Sequence, residues 1–434
     1  MAGPKAFFTL GTASYVGTAN SELWPPSLVR DELERHSSTR TIKRKRRRRP
    51  RAWRRFGTFQ PLRASSSCTL RASLTPAPPH FYRDNQREAV ALIEKDSAMS
   101  RVSKPSHTIE ILAAAAATLA AMTTYNIYRA RKTEREHPPT GRFITVDGVR
   151  LHYIERGKGP PVVLLHGNVV TAEDFDTSGV LGLVATRHRV IAFDRPGFGY
   201  SDRPHGSAWS AADQADLLRD AFVVLGINHP IVLGHSWGTA VALRLALNHP
   251  DAARGLVLLS GYYYPTLRAD VVLSSPAAIP VLGDLLRYSI SPLLSKLMQP
   301  LLLKGMFAPL PVPASFAKGS TPNMSVRPGQ IRAESQDGVA MIPGAIAMRH
   351  RYQELTMPVV IMAGTKDRVV NYKQARRLHA QIRHSTLRLV PDVGHMLHYS
   401  VPEEVAEAIE EAGGLETMLR NTRRTSASDK ASAA

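Results

Sequence analysis

The sequence predicts an α/β fold: a mostly parallel sheet with helices on both faces and an inserted helical cap. Three observations carry this reading. Short continuous apolar runs recur, as in PPVVLLHG (Pro160–Gly167), and such runs suit strands buried on both faces. Segments of helical periodicity, as in AADQADLLRDAFVVLG (Ala211–Gly226), alternate with them from Arg142 to Gly413. One stretch, from Tyr262 to Gly344, breaks the alternation: it lacks strand-like runs and is rich in Leu, Met and Pro.

The chain has 434 residues and a formal net charge of +20. The charge is uneven. Residues 1–98 hold 19 Lys/Arg against 8 Asp/Glu, a net of +11, and the other 336 residues hold 37 against 28, a net of +9. TIKRKRRRRPRAWRRFG (Thr41–Gly57) is a block of like charge, and RASSSCTLRASLTPAPP (Arg63–Pro79) is rich in Ser and Pro. Neither has the apolar content to form a core, so residues 1–98 read as a disordered basic leader. Met99, followed by Arg101, Lys104 and an apolar stretch, is an alternative start. The remaining charge is too mild to imply a nucleic-acid ligand. Cys68 is the single cysteine, which excludes an intramolecular disulfide framework and a cysteine-rich metal site.

Residues 99–140 read as a candidate membrane anchor and linker. Ile109–Tyr128 is a 20-residue window of mostly apolar character, near the length needed to cross a bilayer. Arg129, Arg131, Lys132 and Arg135 follow it, and that excess predicts a cytoplasmic catalytic domain. An export signal and an ordinary Ala-rich helix are the alternatives. His137-Pro138-Pro139 reads as the linker.

Residues 141–261 form the first part of the predicted core. RFITVDGVRLHYIERG (Arg142–Gly157) gives two strands about Asp147-Gly148, a hairpin dipeptide. PPVVLLHG, RVIAFDRPGFG and PIVLG supply strands, each followed by a Gly-rich loop, and GLVLLSG closes this part. The cap covers 262–344. The core resumes over 345–415 with strands in PVVIMAG and STLRLVP, and with a helix opening on Pro402 and two Glu. Residues 416–434 read as a disordered tail.

The chemistry centres on Gly234-His235-Ser236-Trp237-Gly238, which lies between a strand and a helix. That context is a nucleophile elbow: the tight turn exposes the serine hydroxyl, and the glycines leave room for close backbone contacts. A serine needs a base, and the base needs an orienting acid. His395 lies in the loop after the last strand, and Asp367 in the loop after the strand before it. The order Ser236, Asp367, His395 is one of the known triad orders. Asp392 is the rival acid and reads as a turn residue; His235 and His398 are weaker base candidates. The backbone N–H groups of Asn168 and Trp237 are the expected oxyanion donors. His166, Asp194 and Arg195 read as structural.

Taken together, HGN (166–168), DRPGFGYSDRP (194–204), GHSWG, GTKDRVV (364–370) and DVGHM (392–396) resemble the α/β-hydrolase superfamily across about residues 142–412. The resemblance is closest to capped serine esterases, cofactor-free haloperoxidase-like enzymes, C–C bond hydrolases and proline iminopeptidase-like enzymes. It implies the α/β-hydrolase fold, a small-molecule acyl substrate (a carboxylic ester first) and no cofactor. His-Gly-Asn and a Trp after the nucleophile are also similar to haloalkane dehalogenases. Those enzymes and epoxide hydrolases attack with aspartate, whereas this chain has Ser236. A ligand-binding receptor on the same fold is the non-enzyme alternative. Within the cap, Tyr262, Tyr263, Leu297 and Met298 are the expected substrate-binding residues. Tyr264, Leu293, Leu294, Leu301, Met306 and Phe307 share the same apolar ceiling. No metal-ligand spacing stands out.

Overall fold

A computed structural model describes residues 90–91 and 106–414, except 207–208, 267–270, 272–274 and 320. The basic leader read over 1–98, apart from residues 90–91, and the tail over 416–434 lie outside the described residues. The elements below belong to one compact unit, Arg101–Ala434.

Eight strands form one sheet: β1 (Arg142–Val146), β2 (Val149–Arg156), β3 (Pro161–Leu165), β4 (Arg189–Phe193), β5 (Ile231–His235), β6 (Gly255–Leu259), β7 (Val359–Gly364) and β8 (Thr386–Val390). Their order is β1-β2-β4-β3-β5-β6-β7-β8. β1 and β2 pair antiparallel, as do β2 and β4; the other pairs are parallel. The hairpin turns on Asp147 (φ 49°) and Gly148 (φ 79°), both left-handed, which matches the twist of the flanking strands.

Twelve helices are described: α1 (His107–Glu136), α2 (Glu173–Thr177), α3 (Val180–Ala185), α4 (Ala211–Val224), α5 (Trp237–Asn248), α6 (Leu282–Tyr288), α7 (Ile290–Phe307), α8 (Ala314–Lys318), α9 (Thr321–Met324), α10 (Pro328–Met348), α11 (Lys373–Gln381) and α12 (Pro402–Ala412). α4 opens with a capping box between Ser210 and Asp213. α12 opens on Pro402 with Glu403 and Glu404 in its first turn, which suits the helix dipole.

The period of two along each strand splits the core into two layers. Val163, Leu165, Val232 and Leu258 pack with α4, α5 and α11, and Val162, Leu164, Leu233 and Val257 pack with α3 and α12. The insertion between β6 and β7 holds α6 to α10. α10 runs past the Gly344 boundary expected from sequence, with Pro343 inside it. Ala345 and Met348 are buried, and that packing carries the helix through the proline.

α1 is also longer than the 109–128 window. Its 30 residues span about 45 Å at the usual rise. It has an 18-residue apolar stretch with none of it buried. Its C-terminal half is docked: Asn126 Nδ2 donates to the carbonyls of Tyr288 (2.9 Å) and Ser289 (2.7 Å), and Glu134 pairs with Arg327 at 2.7 Å.

Candidate active site

Because β3 to β8 run parallel, the loops at their C-terminal ends share one edge of the sheet. That edge carries Asn168 after β3, Ser236 after β5, Asp367 after β7 and His395 after β8.

Ser236 sits at φ 51°, ψ −116°, a strained backbone for a residue with a Cβ. The glycines around it answer to close contacts. A Cβ on Gly238 would lie 2.1 Å from the Leu165 carbonyl oxygen, and one on Gly234 would lie 2.5 Å from the Gly238 carbonyl oxygen. Ser236 N–H donates to Leu259 O at 2.9 Å, which ties the turn to β6.

His395 Nδ1 lies 2.9 Å from Asp367 Oδ2. Asp367 Oδ1 accepts from the N–H groups of Val369 and Val370, each at 2.8 Å. The carboxylate partner assigns the ring proton to Nδ1 and leaves Nε2 as the basic nitrogen. His395 N–H donates to Met306 O at the end of α7, so the cap braces the histidine loop. The rivals are placed elsewhere. The Asp392 side chain is exposed beside Lys366. His398 Nε2 pairs with Asp174 Oδ2 at 2.8 Å. His235 Nε2 donates to His395 O at 3.2 Å, and burial, followed by repulsion from His398 and His395, pushes its pKa well below the usual value. Asp174, His235 and His398, which no sequence spacing brought together, lie within 4.8 Å of one another and are buried.

The loop after β3 is held by Arg195, which is fully buried. Its Nε donates to His166 O (2.9 Å), and its Nη2 donates to Gly167 O (3.1 Å) and Asn168 Oδ1 (2.8 Å). A trans peptide points its N–H opposite to its C=O. Anchoring Gly167 O to Arg195 therefore turns Asn168 N–H away from Arg195. His166 braces the same loop in its neutral form. Its Nδ1–H donates to Gly167 O at 2.7 Å, and its Nε2 accepts from Arg195 N–H at 3.0 Å. Burial first, then the Arg195 charge, pull its pKa down to about 3.

Asn168, Ser236, Trp237 and His395 line a cavity of about 260 Å³ with Tyr262, Val169, Val369 and Val370. Ser295, Leu302 and Met306 of α7, and Ile331, Glu334, Met341 and Ala345 of α10, complete it. Trp237 Nε1 is buried without a protein partner. Among the described lining residues there is no Lys or Arg.

The cap expectations need correction. Tyr262 is on the wall, but Tyr263 is buried in the core, where Tyr352 Oη donates to its carbonyl. Leu297 (75% exposed) and Met298 (46%) are on the outer surface of α7, as are Leu293, Leu294 and Leu301. α7 turns its Ser295–Leu302–Met306 edge to the cavity, and Leu297 is about 160° away around the helix.

Two groups escaped the sequence reading. Glu334 lines the cavity; burial first, then the neighbouring Asp337 carboxylate, raise its pKa to about 8 against the opposing pull of Gln330 and Arg195. Asp337 joins cap to core: its Oδ2 accepts from Arg195 Nη1 (2.6 Å) and its Oδ1 from Arg203 Nη2 (3.0 Å). The only sequence signal was DRPGFGYSDRP, whose two arginines are these partners. Nothing local in α10 marked the acid.

A family model described as "Alpha/beta hydrolase family" matches residues 162–408. Haloalkane dehalogenase 2 of Mycobacterium tuberculosis is 26% identical over 291 residues, covering 64% of this chain and 96% of that protein. The 2-hydroxymuconate semialdehyde hydrolase of Pseudomonas putida is 34% identical over 125 residues, 29% of this chain and 44% of that one. Among solved structures, an α/β-hydrolase fold protein from Burkholderia ambifaria superposes with a TM-score of 0.52 at 23% identity, covering 62% of this chain and 97% of that chain. The epoxide hydrolase CorEH gives 0.52 at 21%, with 63% and 97% covered. The sheet order, the elbow between β5 and α5, and a match running from β3 into α12 agree: this chain belongs to the alpha/beta hydrolase family.

Proposed function

We propose that the protein is a serine hydrolase acting on a carboxylic ester with an apolar acyl group. One observation carries the reading: Ser236, on a strained elbow, lines the same cavity as a histidine whose Nδ1 is held by Asp367. His395 Nε2 takes the Ser236 proton as Oγ attacks the ester carbonyl. The N–H groups of Asn168 and Trp237 hold the oxyanion. His395 then gives the proton to the leaving alkoxide. Water, deprotonated by the same nitrogen, attacks the acyl-enzyme, and Ser236 is regenerated with release of the acid. Asp367 stabilises the imidazolium in both halves.

The nature of the nucleophile separates this chain from its dehalogenase relatives. Attack of serine on an alkyl halide would leave an ether that water cannot cleave. The 2-hydroxymuconate semialdehyde hydrolase relative suggests C–C bond cleavage as a second reading. A cavity with no Lys or Arg among its described lining residues favours a neutral ester over an acidic dienone.

Ser236→Ala is expected to lower hydrolysis of a p-nitrophenyl ester by at least about 10⁴, the scale of triad removal. Turnover retained by that variant would overturn the mechanism. Failure of a fluorophosphonate to label Ser236 in the folded parent would favour the binding-protein alternative.

A further inference from the structure

The outer face of α7 is unusual for a soluble surface. Leu293, Leu294, Leu297, Met298 and Leu301 recur at helical spacing, and each is exposed by 46% or more. Val281 (81%) and Leu285 of the α6 segment add to the exposed apolar surface of the cap. Large apolar side chains gathered on one exposed helix face mark an interaction surface.

Three features identify the occupant. First, Asn126 staples α1 to the α6–α7 junction, at Tyr288 O and Ser289 O. The uncovered apolar stretch of α1 is long enough to cross a bilayer, so the face lies beside a helix of membrane-spanning length. Secondly, Tyr125 and Tyr128 are exposed where that stretch ends, and Arg129, Arg131 and Arg135 follow. Aromatic rings and then cations are the residues that favour the headgroup level. Thirdly, a groove of about 200 Å³ between α1 and the cap is lined by Arg129 and Lys296, and by Arg327 in its pair with Glu134, together with Tyr125 and Leu293. Cations beside apolar side chains complement an anionic headgroup and its acyl chains.

We infer that the α6–α7 face, together with α1, docks the cap on an anionic phospholipid leaflet. Leu302 gives the arrangement a catalytic consequence. It lines the active-site cavity and is 45% exposed, one turn from Met298 and next to Leu301 of the outer face, so the cavity rim lies at the edge of the docking surface. An ester held in the leaflet then has a short apolar route to Ser236, a consequence that rests on the ester-hydrolase reading.

The test uses the full chain with Cys68→Ser and Leu297→Cys, labelled at that thiol with an environment-sensitive fluorophore. It is reconstituted into vesicles of phosphatidylglycerol and phosphatidylcholine. The label is expected to shift to the blue and to be quenched by lipids spin-labelled near the headgroup. The same label on Val223→Cys, exposed on α4, is expected to do neither. A label at 297 that behaves like the one at 223 overturns the inference. So does self-quenching between chains without lipid quenching, which assigns the face to a second copy. In a second arm, Leu293→Glu with Leu294→Glu and Leu301→Glu is expected to lower hydrolysis of a vesicle-borne long-chain ester at least about tenfold while leaving a soluble short-chain ester unaffected. Equal loss on both substrates removes the docking role. If the parent hydrolyses neither ester, the esterase reading fails, and the label alone decides the docking surface.

Discussion

The sheet edge and the cap meet across one cavity but are built on opposite principles. On the sheet side, backbone approaches backbone. Gly238 and Gly234 leave no space for a methyl group, and Asp367 and the Asn168 loop are held by hydrogen bonds of 2.8–3.1 Å. On the cap side, side chains form the wall, and α7 exposes leucines on the face away from the cavity. Chemistry requires a fixed geometry, and the proposed reacting groups sit on loops anchored by strands. The cap has to admit a substrate, and its helices supply shape and solvent exclusion. Arg195 and Asp337 join the two halves, fully buried, and Arg203 is the second guanidinium on the same carboxylate.

Breaking the sheet side should have the largest effect. Asp367→Asn leaves the packing almost unchanged but favours the wrong tautomer of His395, and kcat for ester hydrolysis is expected to fall by about 10⁴. A variant within tenfold of the parent would mean that another acid orients the histidine. Breaking the joint should have the next largest effect. Asp337→Ala strands Arg195 and Arg203 without their carboxylate, at a cost of about 3–5 kcal/mol in urea unfolding. Loosening Arg195 should also lower kcat through the Asn168 loop. A cost below about 1 kcal/mol would show that the arginines find other partners.

A pH-dependent effect sharpens the cap side. Glu334 titrates near pH 8 in the folded protein but near the ordinary carboxylate value when unfolded. Between those values the folded chain holds the extra proton, so stability falls as pH rises from about 4.5 to about 8. Burial raises that titration first and Asp337 on α10 raises it further, against Gln330 and the guanidinium of Arg195 in the loop after β4; His395 lines the same cavity from the sheet edge. Glu334→Gln cannot ionise. Its thermal midpoint is expected to gain on the parent between pH 5 and pH 9, and a difference that is flat with pH would remove Glu334 as the source.

Much of the sheet side was legible in the sequence because its signals are local. An apolar run ending in Gly-x-Ser-x-Gly before a helix places Ser236, and the runs before Asp367 and His395 place both at the same edge. The cap was legible only as a class of structure. Tyr262 and Tyr263 are neighbours in sequence, yet one lines the cavity and the other is buried in the core. Leu297 and Leu302 share a helix and a chemistry, and only Leu302 reaches the cavity.

By itself the sequence determined the alternation of strand and helix and the strand–Gly-x-Ser-x-Gly–helix turn, since each depends on residues within a few positions of one another; it also placed Asp367 and His395 each in the loop after its own strand. The tertiary structure alone decided which cap residues face the serine, because that depends on how α7 and α10 are rotated against the sheet. It also decided that Arg195 would find Asp337 142 residues away. A buried charge needs a partner that only the folded chain brings within reach.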